Sequence, residues 1–200
     1  MYTHVKRMLD FLLALLALVV LSPLLLAIAA AVCLTSPGPA LFCQKRVGRD
    51  KRLFTIYKFR TMRTDAPKDQ PTHMLQNPGA YITPVGRALR ASSLDELPQL
   101  INILRGEMSV VGPRPALWNQ YDLIAARDAA GANAVRPGLT GWAQINGRDE
   151  LPIPEKARLD GEYVRRMSFC FDARCVLGTV LSVARREGVV EGAQEEEKRD

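Results

Sequence analysis

From Phe11 to Leu34 the chain carries no charge, and Ser22-Pro23 is the only break in the apolar run. A helix of that length measures about 36 Å, enough to cross a hydrocarbon core of about 30 Å. The run is too long for a signal peptide, and Thr35-Ser36-Pro37-Gly38-Pro39 is a poor cleavage site. Basic residues stand on both sides: Lys6 and Arg7 before, Lys45, Arg46, Arg49, Lys51 and Arg52 after. The positive-inside rule therefore gives no preferred direction of crossing. Pro23 divides the run into arms of about 11 or 12 residues, each about 17 Å and too short to cross alone. A re-entrant helical hairpin over residues 1–36, kinked at Ser22-Pro23 with both ends cytoplasmic, fits this pattern better than a kinked span, the alternative that stays open. The carbonyl freed by Pro23 needs a donor within lipid, which Ser22 or a neighbour can supply. Asp10, at the membrane border, is spaced to pair with Lys6 or Arg7.

Beyond the stiff exit Thr35–Pro39 the period changes. Ala40–Val47 and Leu53–Phe59 are strand-like and flank the turn Gly48-Arg49-Asp50-Lys51, which predicts a β-hairpin. Lys58 and Arg60 fall at its end. Thr64 to Gly79 is polar with several prolines, a surface loop in which His73 is expected to be solvated. Leu117, Trp118, Tyr121, Leu123 and Ile124 share a helical face up to Ala130-Gly131, suited either to a membrane interface or to core packing. Pro154–Met167 and Asp172–Arg186 predict two further helices, with Asp172 placed to cap the second. Residues 37–188 thus form one globular domain, and residues 189–200, charged and poor in apolar residues, an expected disordered tail.

The centre of this domain is Ser92-Ser93-Leu94-Asp95-Glu96-Leu97-Pro98-Gln99-Leu100-Ile101-Asn102-Ile103-Leu104. Two adjacent carboxylates precede an apolar helical run, with Arg87 and Arg90 before them and Arg105 and Arg114 after. Pro98 fits best in a first helical turn, which predicts an N-cap near Asp95 and a helix over Glu96–Leu104. Ser93 and Glu96 then have capping-box spacing, a purely structural explanation for both. Pro113 and Pro115 stiffen the backbone around Arg114, which suits bidentate phosphate binding. In Arg136-Pro137-Gly138-Leu139-Thr140-Gly141-Trp142-Ala143-Gln144-Ile145-Asn146-Gly147-Arg148, glycine-freed amides and two guanidiniums suggest an anion site. It matches neither a P-loop nor a dinucleotide fingerprint.

Composition narrows the partners. Lys and Arg number 27 against 21 Asp and Glu, a net charge of +6 and a pI near 9.4, which suits an anionic partner. Four cysteines without a Cys-x-x-Cys motif, and only two histidines, argue against a zinc or disulfide framework. The basic residues sit singly beside Gly and Pro rather than in runs, which argues against nucleic acid. A membrane-anchored binder of anionic lipid or nucleic acid, and a nucleotide-sugar phosphodiesterase, remain the competing classes.

Taken together, Lys6-Arg7 before an apolar segment with Ser22-Pro23, Tyr57-Lys58-Phe59-Arg60-Thr61-Met62, Leu89-Arg90 and Ser93-Leu94-Asp95-Glu96-Leu97-Pro98-Gln99 resemble the bacterial sugar transferases called monotopic phosphoglycosyl transferases of the PglC type. Gly112-Pro113-Arg114-Pro115 and Arg136-Pro137-Gly138-Leu139-Thr140-Gly141 with Asn146-Gly147-Arg148 extend the resemblance over roughly Lys6 to Gly188, and the chain starts directly at the re-entrant segment as the small family members do. The resemblance implies an α+β fold, mainly helical, with a small β-hairpin and amphipathic surface helices on a cytoplasmic domain at the bacterial inner membrane. It implies transfer of sugar-1-phosphate from a UDP-sugar to polyprenyl (undecaprenyl) phosphate, releasing UMP, as a step initiating glycan assembly. Asp95 would be the nucleophile and Mg²⁺ ligand, forming a phosphosugar-aspartyl intermediate in ping-pong fashion. Glu96 would support it, Lys58 and Arg90 would contact phosphate or carboxylate, and Arg114, Arg136 and Arg148 the nucleotide diphosphate. Asp172 matches the family pattern in position, with capping as its other role. Inner-membrane phospholipid would surround the anchor, and a homodimer is compatible with the sequence.

Overall fold

The computed structural model describes residues 2–67, 75, 77–147 and 151–185. Arg148, His73 and the expected tail lie outside them. The apolar run forms one continuous helix, α1 (Tyr2–Thr35), with Pro23 inside it. Pro23 cannot donate to the carbonyl of Val19, and Ser22 Oγ takes that place at 2.8 Å. The bond satisfies, from the adjacent residue, the acceptor that proline orphans.

The two halves of α1 return to the same domain. Lys6, Asp10 and Ala14 are buried in the first half and Ile28 and Val32 in the second, with none buried between Leu15 and Ala27. Ala14 packs on Ile56, Leu100, Ile103 and Met108, while Ile28 and Val32 pack on Phe59 and Leu89. Both termini are also pinned by arginine. Arg7 Nη1 and Nη2 donate to the carbonyls of Ile103 and Leu104 at 2.6 and 3.0 Å. At the exit, buried Arg60 donates to Ser36 Oγ, Ser36 O and Pro39 O at 2.6–2.7 Å. Leu12, Leu13, Leu16, Val19, Val20, Leu24 and Leu26 stay exposed. With both ends held by one domain, the apolar segment is a monotopic, re-entrant anchor.

The hairpin is β1 (Leu41–Val47) and β2 (Leu53–Phe59), paired antiparallel from Leu41–Phe59 to Val47–Leu53. Then come α2 (Pro84–Ala91), α3 (Gln99–Arg105), β3 (Ser109–Val111), α4 (Tyr121–Ala129), β4 (Gly138–Thr140), α5 (Trp142–Ile145), α6 (Ile153–Arg166) and α7 (Phe169–Arg185). The short parallel pair β3–β4, matching Ser109 with Gly138 and Val111 with Thr140, carries no strand signal in the sequence. α4 starts later than expected because Leu117 bridges to Arg46. Leu117 and Leu123 are core while Trp118 and Tyr121 face outward. On α7, Phe169, Val176, Leu177, Val180 and Leu181 are exposed on one face, an amphipathic surface helix.

Candidate active site

Asp95 and Glu96 sit on a single 3₁₀ turn, Leu94–Glu96, and α3 starts only at Gln99. The expected N-cap near Asp95, and the helix from Glu96, are therefore corrected. Ser93 adopts φ 56°, a left-handed conformation that turns the chain between α2 and the carboxylates. Glu96 N–H then bonds Ser93 O, and Leu97 N–H bonds Leu94 O, an i→i+3 pattern. Ser93 makes no side-chain cap bond. The capping box does not form.

Glu96 has other work. Its Oε1 accepts from Lys58 Nζ at 2.7 Å and from Arg114 Nη2 at 2.8 Å, with all three side chains largely or partly buried. Burial opposes ionising Glu96, but the charges and hydrogen bonds of Arg114 and Lys58 outweigh it and hold the carboxyl far below its usual range. Lys58, brought in by β2, is held below the ordinary lysine value by burial against the pull of Glu96. Asp95 differs from its neighbour. It has no hydrogen-bond or ion-pair partner among the described residues, and burial together with the charge of Glu96 raises its carboxyl above the ordinary 3.8 despite Lys58, Arg90 and Arg114. Two adjacent carboxylates thus have opposite environments: one is tied into a salt-bridge triad, the other is half-buried and available.

Arg90, in the last turn of α2, donates from Nε to Thr61 Oγ1 at 2.9 Å, and its charge acts on Asp95. The structure therefore gathers Lys58, Arg90, Asp95, Glu96 and Arg114. The Arg114 carbonyl is gripped by Arg127 Nη1 at 2.8 Å, and Arg127 is itself locked to buried Asp160, Nη2 to Oδ2 at 2.6 Å. This Arg127–Asp160 support gave no sequence signal, because neither residue stands near a recognisable motif.

Two other candidates lie elsewhere. Asp172 is buried one turn inside α7, where Ser168 Oγ is the cap, accepting from Phe171 N–H at 3.3 Å. Asp172 Oδ2 instead accepts from Lys6 Nζ at 2.7 Å and from the Tyr2 hydroxyl, and Oδ1 from Tyr163 at 2.8 Å. It joins α7 to the start of the anchor. Lys6 also pairs with Asp10 at 3.8 Å, the spacing expected from the sequence. Arg136 donates to Gly106 O at 2.8 Å, beyond the C-terminal end of α3. The amides of Gly138 and of Gly112 beside it are already engaged by backbone carbonyls. Gly138 N–H bonds Pro113 O and Gly112 N–H bonds Thr140 O. A Cβ on Gly138 would stand 2.1 Å from Gly112 N, and one on Gly141 2.1 Å from Gly112 O. These glycines exist for backbone contact.

A family model described as "Bacterial sugar transferase" matches residues 1–186. The chain belongs to the bacterial sugar transferase family. Among its relatives, the UDP-glucose:undecaprenyl-phosphate glucose-1-phosphate transferase of Escherichia coli (strain K12) is 45% identical over 184 residues, 88% of this chain and 39% of the relative. The Caulobacter vibrioides protein of the same name is 44% identical over 187 residues, 89% of this chain and 69% of the relative. The exopolysaccharide production protein PSS of Rhizobium leguminosarum bv. phaseoli is 41% identical, covering 88% of this chain and 94% of the relative. The chain spans about two-fifths of the length of the Escherichia coli protein and of two other curated relatives. As a family member with an apolar N-terminal anchor, the chain sits on the bacterial inner membrane with its globular domain on the cytoplasmic face.

Proposed function

We propose that this chain is a phosphoglycosyl transferase that moves sugar-1-phosphate from a UDP-sugar to undecaprenyl or a related polyprenyl phosphate. The observation that carries the reading is the contrast between Asp95 and Glu96. A nucleophilic carboxylate must be free of strong partners and accessible, yet lie in positive surroundings that offset repulsion from a pyrophosphate. Asp95 has that setting.

In this reading an Asp95 carboxylate oxygen attacks the sugar-bearing phosphorus. The P–O bond to the bridging oxygen breaks, UMP leaves with that electron pair, and a phosphosugar-aspartyl ester remains. An oxygen of polyprenyl phosphate then attacks the same phosphorus and returns Asp95 as carboxylate. Lys58 and Arg114 hold Glu96 ionised and in place, and Arg90 and Arg114 supply positive charge toward the phosphates. The anchor suits the two substrates: the nucleotide sugar arrives from water, the acceptor from the bilayer.

Among the described residues no group of three or more His, Cys, Asp or Glu side chains could hold a metal. Asp95 alone still fits Mg²⁺, an ion commonly held by one or two carboxylates with substrate phosphates and water. When bound there, Mg²⁺ would neutralise phosphate charge.

Intact-protein mass spectrometry tests this directly. Purified protein is incubated with Mg²⁺ and UDP-glucose or UDP-N-acetyl sugars, without lipid acceptor. A gain of one sugar phosphate, absent in Asp95→Asn and chased by undecaprenyl phosphate, is the expected result. UMP release far beyond one per enzyme without acceptor would replace transfer with hydrolysis. No adduct, and no UMP release with acceptor present, would remove the assignment.

A further inference from the structure

A second cationic site lies at the other end of α3. Its cleft, about 190 Å³, is lined by Thr3, Lys6, Arg7, Asp10, Arg49 and Arg136, with further residues of β3 and α6. None of the Asp95 cluster lines it. α3 separates the two sites, with Asp95 before its first residue and the cleft past its last, at least about 10 Å along the helix.

The charges here are unequally answered. Lys6 and Asp10 belong to a closed network with Asp172, Ser109 Oγ and Val110 N–H. Among the described residues Arg7 bonds only neutral carbonyls, those of Ile103 and Leu104, and lies over Phe11 at 5.9 Å. Arg136 uses Nε on the Gly106 carbonyl, and its terminal nitrogens have no partner among the described residues. Arg7 lies against that same Gly106: a Cβ there would be 3.3 Å from Arg7 Nη2. Neither arginine forms an ion pair among the described residues. Among the described residues Arg49 pairs only with exposed Asp50, at 3.2 Å. Helix-end capping explains why one guanidinium sits at α3. It does not explain three converging on one cleft. Burial, then the charges of Arg7 and Arg49, pull Arg136 below the ordinary arginine value, and Asp10 offsets this least. A phosphate would relieve that repulsion, and planar guanidiniums match its oxygens.

We propose that the cleft between Arg7, Arg49 and Arg136 is a phosphate-binding site distinct from the Asp95 centre. Its position at the first turns of α1, just before the exposed apolar face opening at Phe11 and Leu12, makes a membrane phospholipid headgroup one source and free phosphate the other.

Full-length protein in a neutral detergent is titrated calorimetrically with dihexanoyl phosphatidylglycerol, with inorganic phosphate, and with dihexanoyl phosphatidylcholine as the zwitterionic control. Saturable binding of phosphatidylglycerol over phosphatidylcholine assigns a lipid headgroup, and saturable binding of inorganic phosphate assigns a soluble source. Either supports the site when Arg49→Gln and Arg136→Gln each weaken binding at least fivefold and Arg158→Gln, on the exposed side of α6, does not. Arg49 is on an exposed turn, so Arg49→Gln decides the case should Arg136→Gln fail to fold. Absence of saturable binding by both anions, or affinity unchanged in Arg49→Gln, overturns the proposal.

Discussion

Lys58 Nζ and Glu96 Oε1 stand 2.7 Å apart, and Arg114 shares the same oxygen. The pair joins the last strand of the hairpin to the turn carrying Asp95. It fixes one member of the carboxylate pair and leaves the other without a side-chain partner among the described residues. Glu96→Gln removes the carboxylate that faces largely buried Lys58 and partly buried Arg114, and breaking such a pair costs about 3 kcal/mol. Thermal unfolding of the variant should show a Tm several degrees lower, with transfer strongly reduced in the folded fraction.

Acid should act through Glu96. Its folded carboxyl lies below the ordinary 4.5, so its stabilisation is present above that value and is lost as pH falls toward the folded value. Below about pH 4.5, Lys58–Glu96–Arg114 should release stability progressively. Denaturant midpoints measured at several pH values should fall more steeply for wild type than for Glu96→Gln.

Asp95 has the opposite sign. Its folded carboxyl lies above 3.8, so ionising it costs stability as pH rises from 3.8 through the folded value. Asp95→Asn should therefore abolish transfer, by about a thousandfold or more, while raising Tm at pH 7. The acid limb of kcat/KM for the wild type should lie above the ordinary aspartate value. A Tm unchanged or lowered in Asp95→Asn would count against a carboxylate disfavoured by burial and by Glu96.

Asp172 should behave as an anchor tie. Asp172→Asn leaves buried Lys6 without its closest carboxylate, a loss of about 3 kcal/mol. The expected phenotype is a lower Tm with KM for the nucleotide sugar unchanged in the folded fraction. A raised KM at unchanged Tm would return Asp172 to substrate binding.

Gly138→Ala should destabilise by about 2 kcal/mol or more, since its Cβ meets backbone that cannot step aside. Ligand affinity per folded molecule should be unaltered. Circular dichroism melts with matched binding titrations separate the two effects.

Much of this was legible along the chain. The β-hairpin, the apolar anchor and the acidic pair among arginines are local patterns with local causes. The misread features share another cause. Glu96 looks like a cap in sequence because Ser93 precedes it by three residues. The positive φ at Ser93 and the arrival of Lys58 and Arg114 from distant segments decide otherwise. Asp172 looks like a cap because it opens the expected helix Asp172–Arg186, but α7 begins earlier with Ser168 as its cap, and Lys6 reaches Asp172 across the fold.

The sequence by itself determined the apolar anchor, the hairpin, the family and which residue types could do the chemistry, because periodicity, composition and ordered motifs are properties of neighbouring residues. Only the tertiary structure decided that both halves of α1 rest on one domain and that, among the described residues, Asp95 has no side-chain partner while Glu96 has two. It alone placed Arg7, Arg49 and Arg136 on a common cleft. Those facts depend on charges and carbonyls from segments far apart in the chain, and burial strengthens or penalises each charge only once the fold has chosen its neighbours.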